Sequence, residues 1–391
     1  MDFDFCWLFI ISVVFGLGWS AARYDLKHFL SKSARRSRSY LQGLNFLLNE
    51  ETDQAINILI EVARLDPETT ELYFALGNLF RRRGEMERAI RVHQNLLARE
   101  NLRANEQNHA LYELGQDFLK AGLLDRAEEI FRQLHGSDYA LRALQALLTI
   151  FKIEKEWHKA IIAAKKIEEI GALSLGKEIS QFHCELAQEA LRHKRIDDAR
   201  EALQQALQSN PKNVRATLLS GDIELACNEP MQAISHWRQV EQKNPACLPL
   251  VAHKLMQAYI TTGQSQQGAS LLAYYVKTYY SNDLLDVAYK HIAELHGVDA
   301  AHALARMQML KLPNLISMKR LLETHIIVAE EPRRGELVLM RTLICQHAKN
   351  LPRYICRNCG FRARLFYWQC PGCSGWETYV PQQPEPVTVI R

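Results

Sequence analysis

The pattern of apolar and polar positions changes character twice along the 391 residues. From Phe5 to Ala22 (FCWLFIISVVFGLGWSAA) no position carries a charge. Through residues 39–350 apolar side chains recur every three or four positions, the period of helices that bury one face. Beyond that the period stops, and a short stretch dense in cysteine and aromatic residues follows. These three textures predict a membrane helix over residues 1–22, a long helical array and a small non-helical domain.

The first run suits a bilayer. Eighteen helical residues at about 1.5 Å each nearly cross a hydrocarbon core of roughly 30 Å. Trp7, Trp19 and Tyr24 stand where interfacial anchors belong. A cleaved signal peptide wants basic residues ahead of the run, but here Asp2 and Asp4 precede it, so a retained anchor is expected. Arg23, Lys27, Lys32, Arg35, Arg36 and Arg38 follow it in the juxtamembrane segment 23–38. The positive-inside rule then places everything after Arg23 in the cytoplasm.

Within the array a register repeats. Ala55, Ala89, Ala127, Ala160, Ala199 and Ala233 are separated by 34, 38, 33, 39 and 34 residues. Twelve residues before each stand Gly43, Gly77, Gly115, Leu148, Ala187 and Gly221. Small residues at two fixed positions of a roughly 34-residue period are the mark of a tetratricopeptide repeat (TPR), a helix-turn-helix unit whose helices cross closely there. YFALGNLFRRRGEMERAIRVHQNLL is the clearest copy, with Gly84 breaking the first helix from the second. A seventh unit (Leu255, Tyr259, Gly263, Gly268, Leu272) fits only with a slip, and from Tyr289 to Asn350 the signature fades while helical periodicity continues. The fold class expected is an all-α TPR-type solenoid, whose groove binds protein segments. Arg81, Arg82, Arg83 and Tyr274, Tyr275, Tyr279, Tyr280 are candidates for that groove; surface charge and helical packing account for most of them more simply. His93 reads as a packing residue with a polar tip.

Composition adds limits. An apolar share of 48% and a charged share of 24% describe a folded chain. A net charge of +4 is too small to argue for nucleic acid, and no such partner is expected. Of nine cysteines, Cys6, Cys184, Cys227, Cys247 and Cys345 are scattered singly, which argues against a disulfide framework and for buried apolar roles in a reducing compartment.

The other four are organised. Cys356 and Cys359, then Cys370 and Cys373, form two C-x2-C knuckles ten residues apart. Such turns aim paired sulfurs at one point, and two of them make a tetrahedral thiolate site for one metal ion, iron or zinc alike. Four protein ligands close the coordination shell, so the site is structural. Phe361, Leu365, Phe366, Tyr367 and Trp368 are expected to supply the core of this ribbon (351–380), with a disordered tail at 381–391. No phosphate loop, H-E-x-x-H or G-x-S-x-G occurs, so no enzyme is expected.

The knuckles CRNCGF and CPGCSGW resemble those of rubredoxins, and with the anchor and the segments GLNFLLNEETDQAI and LGQDFLKAGLLDRAEEIF the whole chain resembles the LapB family of lipopolysaccharide assembly proteins. The resemblance implies an inner-membrane adaptor that works with the FtsH protease to control the deacetylase committing precursor to lipid A. It also implies other lipopolysaccharide assembly proteins as partners and iron at Cys356, Cys359, Cys370 and Cys373, and it leaves oligomeric state open. A scaffold for synthesis enzymes and an electron carrier are the competing classes; the large helical array weighs against the carrier.

Overall fold

A computed structural model describes residues 46, 52–65, 69–171, 173–350 and 352–381. The anchor at 1–22, the basic segment at 23–38 and the tail from 382 lie outside these. Among the described residues no helix is long and apolar enough to cross a membrane. The chain divides into two units, residues 1–172 and 173–391.

The first unit runs α1 (Thr52–Leu65), α2 (Thr70–Arg83), α3 (Met86–Leu97), α4 (Ala104–Lys120), α5 (Leu124–Gln133), α6 (Ala140–Glu154) and α7 (Trp157–Glu169). The second begins with α8 (Gly176–Arg192), α9 (Ile196–Ser209), α10 (Val214–Ala226) and α11 (Pro230–Lys243). It continues through α12 (Leu248–Thr261), α13 (Ser265–Tyr279), α14 (Asn282–His296), α15 (Val298–Lys311), α16 (Leu315–Val328) and α17 (Arg333–Asn350). Among the described residues three short strands follow: β1 (Tyr354–Cys356), β2 (Arg362–Ala363) and β3 (Tyr379–Pro381), antiparallel in the order β2-β1-β3.

The repeat register has a simple physical basis. Each of the six alanines is the fourth residue of its unit's second helix, and all are 0% exposed. At Gly77, Gly115 and Gly221 the first helix offers glycine, and the second supplies a ring sixteen residues on. A Cβ on Gly77 would stand 2.3 Å from the His93 ring, one on Gly115 2.7 Å from Phe131, and one on Gly221 2.3 Å from Trp237 Nε1. The matching positions hold Ala187 with Leu203 and Leu148 with Ala164, all buried, so side-chain size is traded across the crossing.

This trade corrects the reading of the last units. Gly268 is the fourth residue of α13, in register without a slip, and its Cβ would lie 2.9 Å from the sulfur of Met256, twelve residues earlier. Ala301 holds the same place in α15, with Tyr289 twelve residues before it and Ala305 four after it, all in one core cluster. The large residue has moved to the first helix and the small one to the second. The repeat therefore persists to α15, with the exchange already seen at Leu148 and Ala164.

The candidate groove residues separate. Arg81 is held by Asn78, Glu113 and Asp117, and Arg83 by Asp53 and Glu85, while Arg82 is exposed. Tyr275 is buried, Tyr279 donates to Glu241 at 3.0 Å, and Tyr274 is half exposed. His93 is a buried packing residue whose Nδ1 lies 2.5 Å from Asp117 Oδ2.

Candidate metal centre

The two knuckles are built alike by backbone hydrogen bonds. In the first, Gly360 N–H donates to the Cys356 carbonyl and Cys356 N–H to the Phe361 carbonyl, both at 2.9 Å. In the second, Ser374 N–H donates to the Cys370 carbonyl and Cys370 N–H to the Gly375 carbonyl, both at 2.8 Å. The fifth residue of each turn takes a left-handed φ, +74° at Gly360 and +55° at Ser374. Glycine meets that demand without strain and serine less readily.

These turns bring Cys356, Cys359, Cys370 and Cys373 together, with all four Sγ atoms within 4.8 Å of one another. Cys356 and Cys373 stand 3.7 Å apart, as do Cys359 and Cys370. A tetrahedron with metal–sulfur bonds of about 2.3 Å has edges of about 3.8 Å, so the sulfurs are already spaced for one ion. Cys356 and Cys370 face the interior, and Cys359 and Cys373 face solvent. Gly372 N–H donates to Cys370 Sγ at 3.4 Å, and the Thr378 hydroxyl lies 3.2 Å from Cys356 Sγ. Desolvation pushes the Cys356 thiol up, but Thr378 and the backbone N–H groups of Cys359 and Asn358 outweigh it and bring it down to about 6. Such donors favour thiolate, the form a metal binds. The four cysteines form a metal-binding site.

The aromatic residues are arranged differently from the expectation. Phe361, Leu365 and Tyr367 are exposed; the core is Tyr354, Cys356, Cys370 and Tyr379, with Phe366 edge-on to both tyrosines. The strands, whose alternation the sequence carries only faintly over three residues, supply this core. Trp368 leaves it to pack against the helices of the second unit.

That contact is one of several. Gln181 of α8 donates to Glu377 Oε1 at 2.6 Å. The Trp376 ring lies edge-on to Phe182, with the Arg215 guanidinium 5.7 Å from its centroid. Arg215, 3% exposed, is fixed by Gln181, Glu185 and Gln188. On another side Arg353 reaches Asp283 of α14 at 3.6 Å. Desolvation raises the Glu377 carboxyl despite Gln181, Lys177 and Arg215. Burial likewise pushes the thiols of Cys184 and Cys247 up to about 12, which suits inert packing roles; Cys227, by contrast, is exposed. Nothing in the sequence marks Gln181 and Arg215 as ribbon-holding residues, since each is an ordinary polar residue in its own repeat.

Comparison with known proteins follows the same division. The family model described as rubredoxin metal binding domain matches residues 354–381, and that of the tetratricopeptide repeat matches 40–100 and 184–246. Lipopolysaccharide assembly protein B of Escherichia coli K12 is 32% identical over 375 residues, spanning 95% of this chain and 96% of that protein. The protein of the same description from Haemophilus influenzae Rd is 31% identical over 384 residues, with 95% and 96% covered.

Proposed function

Since the chain belongs to the lipopolysaccharide assembly protein B family, we propose that it is an inner-membrane adaptor that limits lipopolysaccharide synthesis by presenting the lipid A-committing deacetylase to an FtsH-type protease. It is not an enzyme: the repeat fold and the family both describe a protein that assembles others. The observation that carries the reading is the pairing of helical repeats with a closed thiolate site on one unit. Repeats of this kind offer protein-binding surface, and a site with four protein ligands leaves no position for a substrate. Cys356, Cys359, Cys370 and Cys373 would hold iron or zinc, either of which cross-links the ribbon; the donor set suits both.

The uncharged run at Phe5–Ala22 and the six basic residues after it support a single-pass anchor with the repeats in the cytoplasm. Tethering raises the effective concentration of the repeats near a membrane-bound protease. A reporter fused after Val380 should be active only in the cytoplasm, and deleting the gene should change cellular lipopolysaccharide content. Periplasmic activity of the reporter contradicts the topology, and unchanged lipopolysaccharide contradicts the function.

A further inference from the structure

The two units use one side of their first helices differently. In α8 and α10 the residues six before the small position are Gln181 and Arg215. Both touch the ribbon turn, Gln181 through the Glu377 carboxylate and Arg215 over the Trp376 ring. The molecule thus shows what this side of a first helix holds: an aromatic ring next to a carboxylate.

In the first unit the same positions of α4 and α6 are His109 and Arg142. Aromatic rings run across them from helix to helix. Phe74 stacks on His109 with centroids 4.0 Å apart, His109 on Tyr139 at 5.5 Å, and Tyr139 meets Tyr112 at 5.4 Å. Tyr112 and Tyr139 are half-buried, and the Arg142 guanidinium lies over the Tyr139 ring, 5.8 Å from its centroid. Arg82 and Lys120, each five residues past its small residue, are exposed as Arg142 is. Among the described residues, none of these three cations stands in a salt bridge, whereas Glu113 and Asp117 are met by Arg81, His93 and His109. Glu71, at the edge of α2, carries the opposite charge. Because the cations are exposed, a carboxylate arriving here loses less hydration than Glu377 does beside Arg215.

We propose that this face of α2, α4 and α6 binds a partner-protein segment in which an aromatic residue stands beside a carboxylate, the ring joining the Tyr112–Tyr139 row and the carboxylate meeting Arg142. The proposal rests on the adaptor reading and gives its partner a chemistry. Ring stacking and cation–π contact supply affinity, and the unpaired cations select acidic sequences over basic ones.

The test is a fluorescence titration of the full chain in detergent with the labelled peptide SGWETYV, the chain's own Ser374–Val380 sequence. Its Trp376→Ala and Glu377→Lys versions serve as controls. The parent peptide should bind, each altered peptide should bind about tenfold more weakly or worse, and Arg142→Glu in the protein should cost a similar factor, about 1.4 kcal/mol. Arg142 is exposed, so the variant keeps its helix content and melting temperature; Arg126→Glu, on the second helix α5, should change nothing. The proposal is overturned by no binding at about 1 mM peptide. It is equally overturned by indifference to the three peptide sequences, or by undiminished binding to the Arg142→Glu chain, which would place the peptide at the Arg215 face instead. The titration uses purified components, so its outcome is separate from whether gene deletion changes lipopolysaccharide, which decides the adaptor reading.

Discussion

Replacing Cys356 or Cys370 by serine should abolish metal binding and unfold residues 354–381 while the helices of the first unit stay folded. The ribbon's own core is four side chains with Phe366 and Ala363 against them. So small a domain does not bury enough surface to stand alone, and metal binding of about 10–16 kcal/mol is the usual source of its folding energy. Cys356 and Cys370 are the two ligands turned inward, each 1% exposed, so a serine there loses both a metal bond and a packed sulfur. The affected contacts extend beyond the ribbon. Glu377, Trp376 and Trp368 should leave α8, α10 and the core cluster of the second unit, freeing Gln181 and Arg215. Elemental analysis should fall from about one ion per chain to almost none, and limited proteolysis should cut between α17 and β1. Full metal content with unchanged protease resistance contradicts this. Stripping the metal from the native chain with a chelator should reproduce the cleavage pattern.

The second large effect is expected at a repeat crossing. Gly221→Ala places a methyl group 2.3 Å from Trp237 Nε1, an atom that donates to the Leu218 carbonyl at 3.1 Å. Trp237 is 0% exposed and sits in the core cluster of the second unit, so the added methyl pushes α10 and α11 apart. Overpacking of this kind costs about 1–3 kcal/mol, and the tryptophan's size puts this case near the top of the range. Trp237→Leu alone leaves a cavity and is also destabilising. The two together restore a pair that the chain already uses, Ala187 with Leu203. A double-mutant cycle should therefore return a favourable coupling of at least about 1 kcal/mol, read from chemical denaturation followed by far-UV circular dichroism. Strictly additive losses contradict the size trade on which the repeat register rests.

The same trade explains what was legible in the sequence. Six alanines, with glycine twelve residues before four of them, marked the repeats, because at Gly77, Gly115 and Gly221 a ring from the second helix leaves no room for a Cβ. At Tyr289 and Ala305 the large and small partners change places as they do at Leu148 and Ala164, so the first helix of that unit holds no small residue to mark the register. The clustering of the four cysteines was legible, since a C-x2-C turn fixes its own geometry through the two backbone hydrogen bonds seen in both knuckles. The ribbon's aromatic residues were not. Whether Phe361 or Tyr379 enters the core depends on strand pairing over two or three residues and on the helices beside it, and neither has a local signal. Nor could the sequence assign Arg215, whose neighbours come from α8 and from a turn some 160 positions later.

The proposed function has a tethered repeat array with an intact ribbon deliver the lipid A-committing deacetylase to its protease. Its most direct measurement is the half-life of that deacetylase after protein synthesis is stopped. Four strains should be compared at native expression: one with the full chain, one lacking the gene, one with residues 1–22 removed and one carrying Cys370→Ser. Such delivery should give rapid loss of the deacetylase only with the full chain, and a half-life several-fold longer in the other three. An unchanged half-life in the strain lacking the gene, or full control by the chain without residues 1–22, contradicts it.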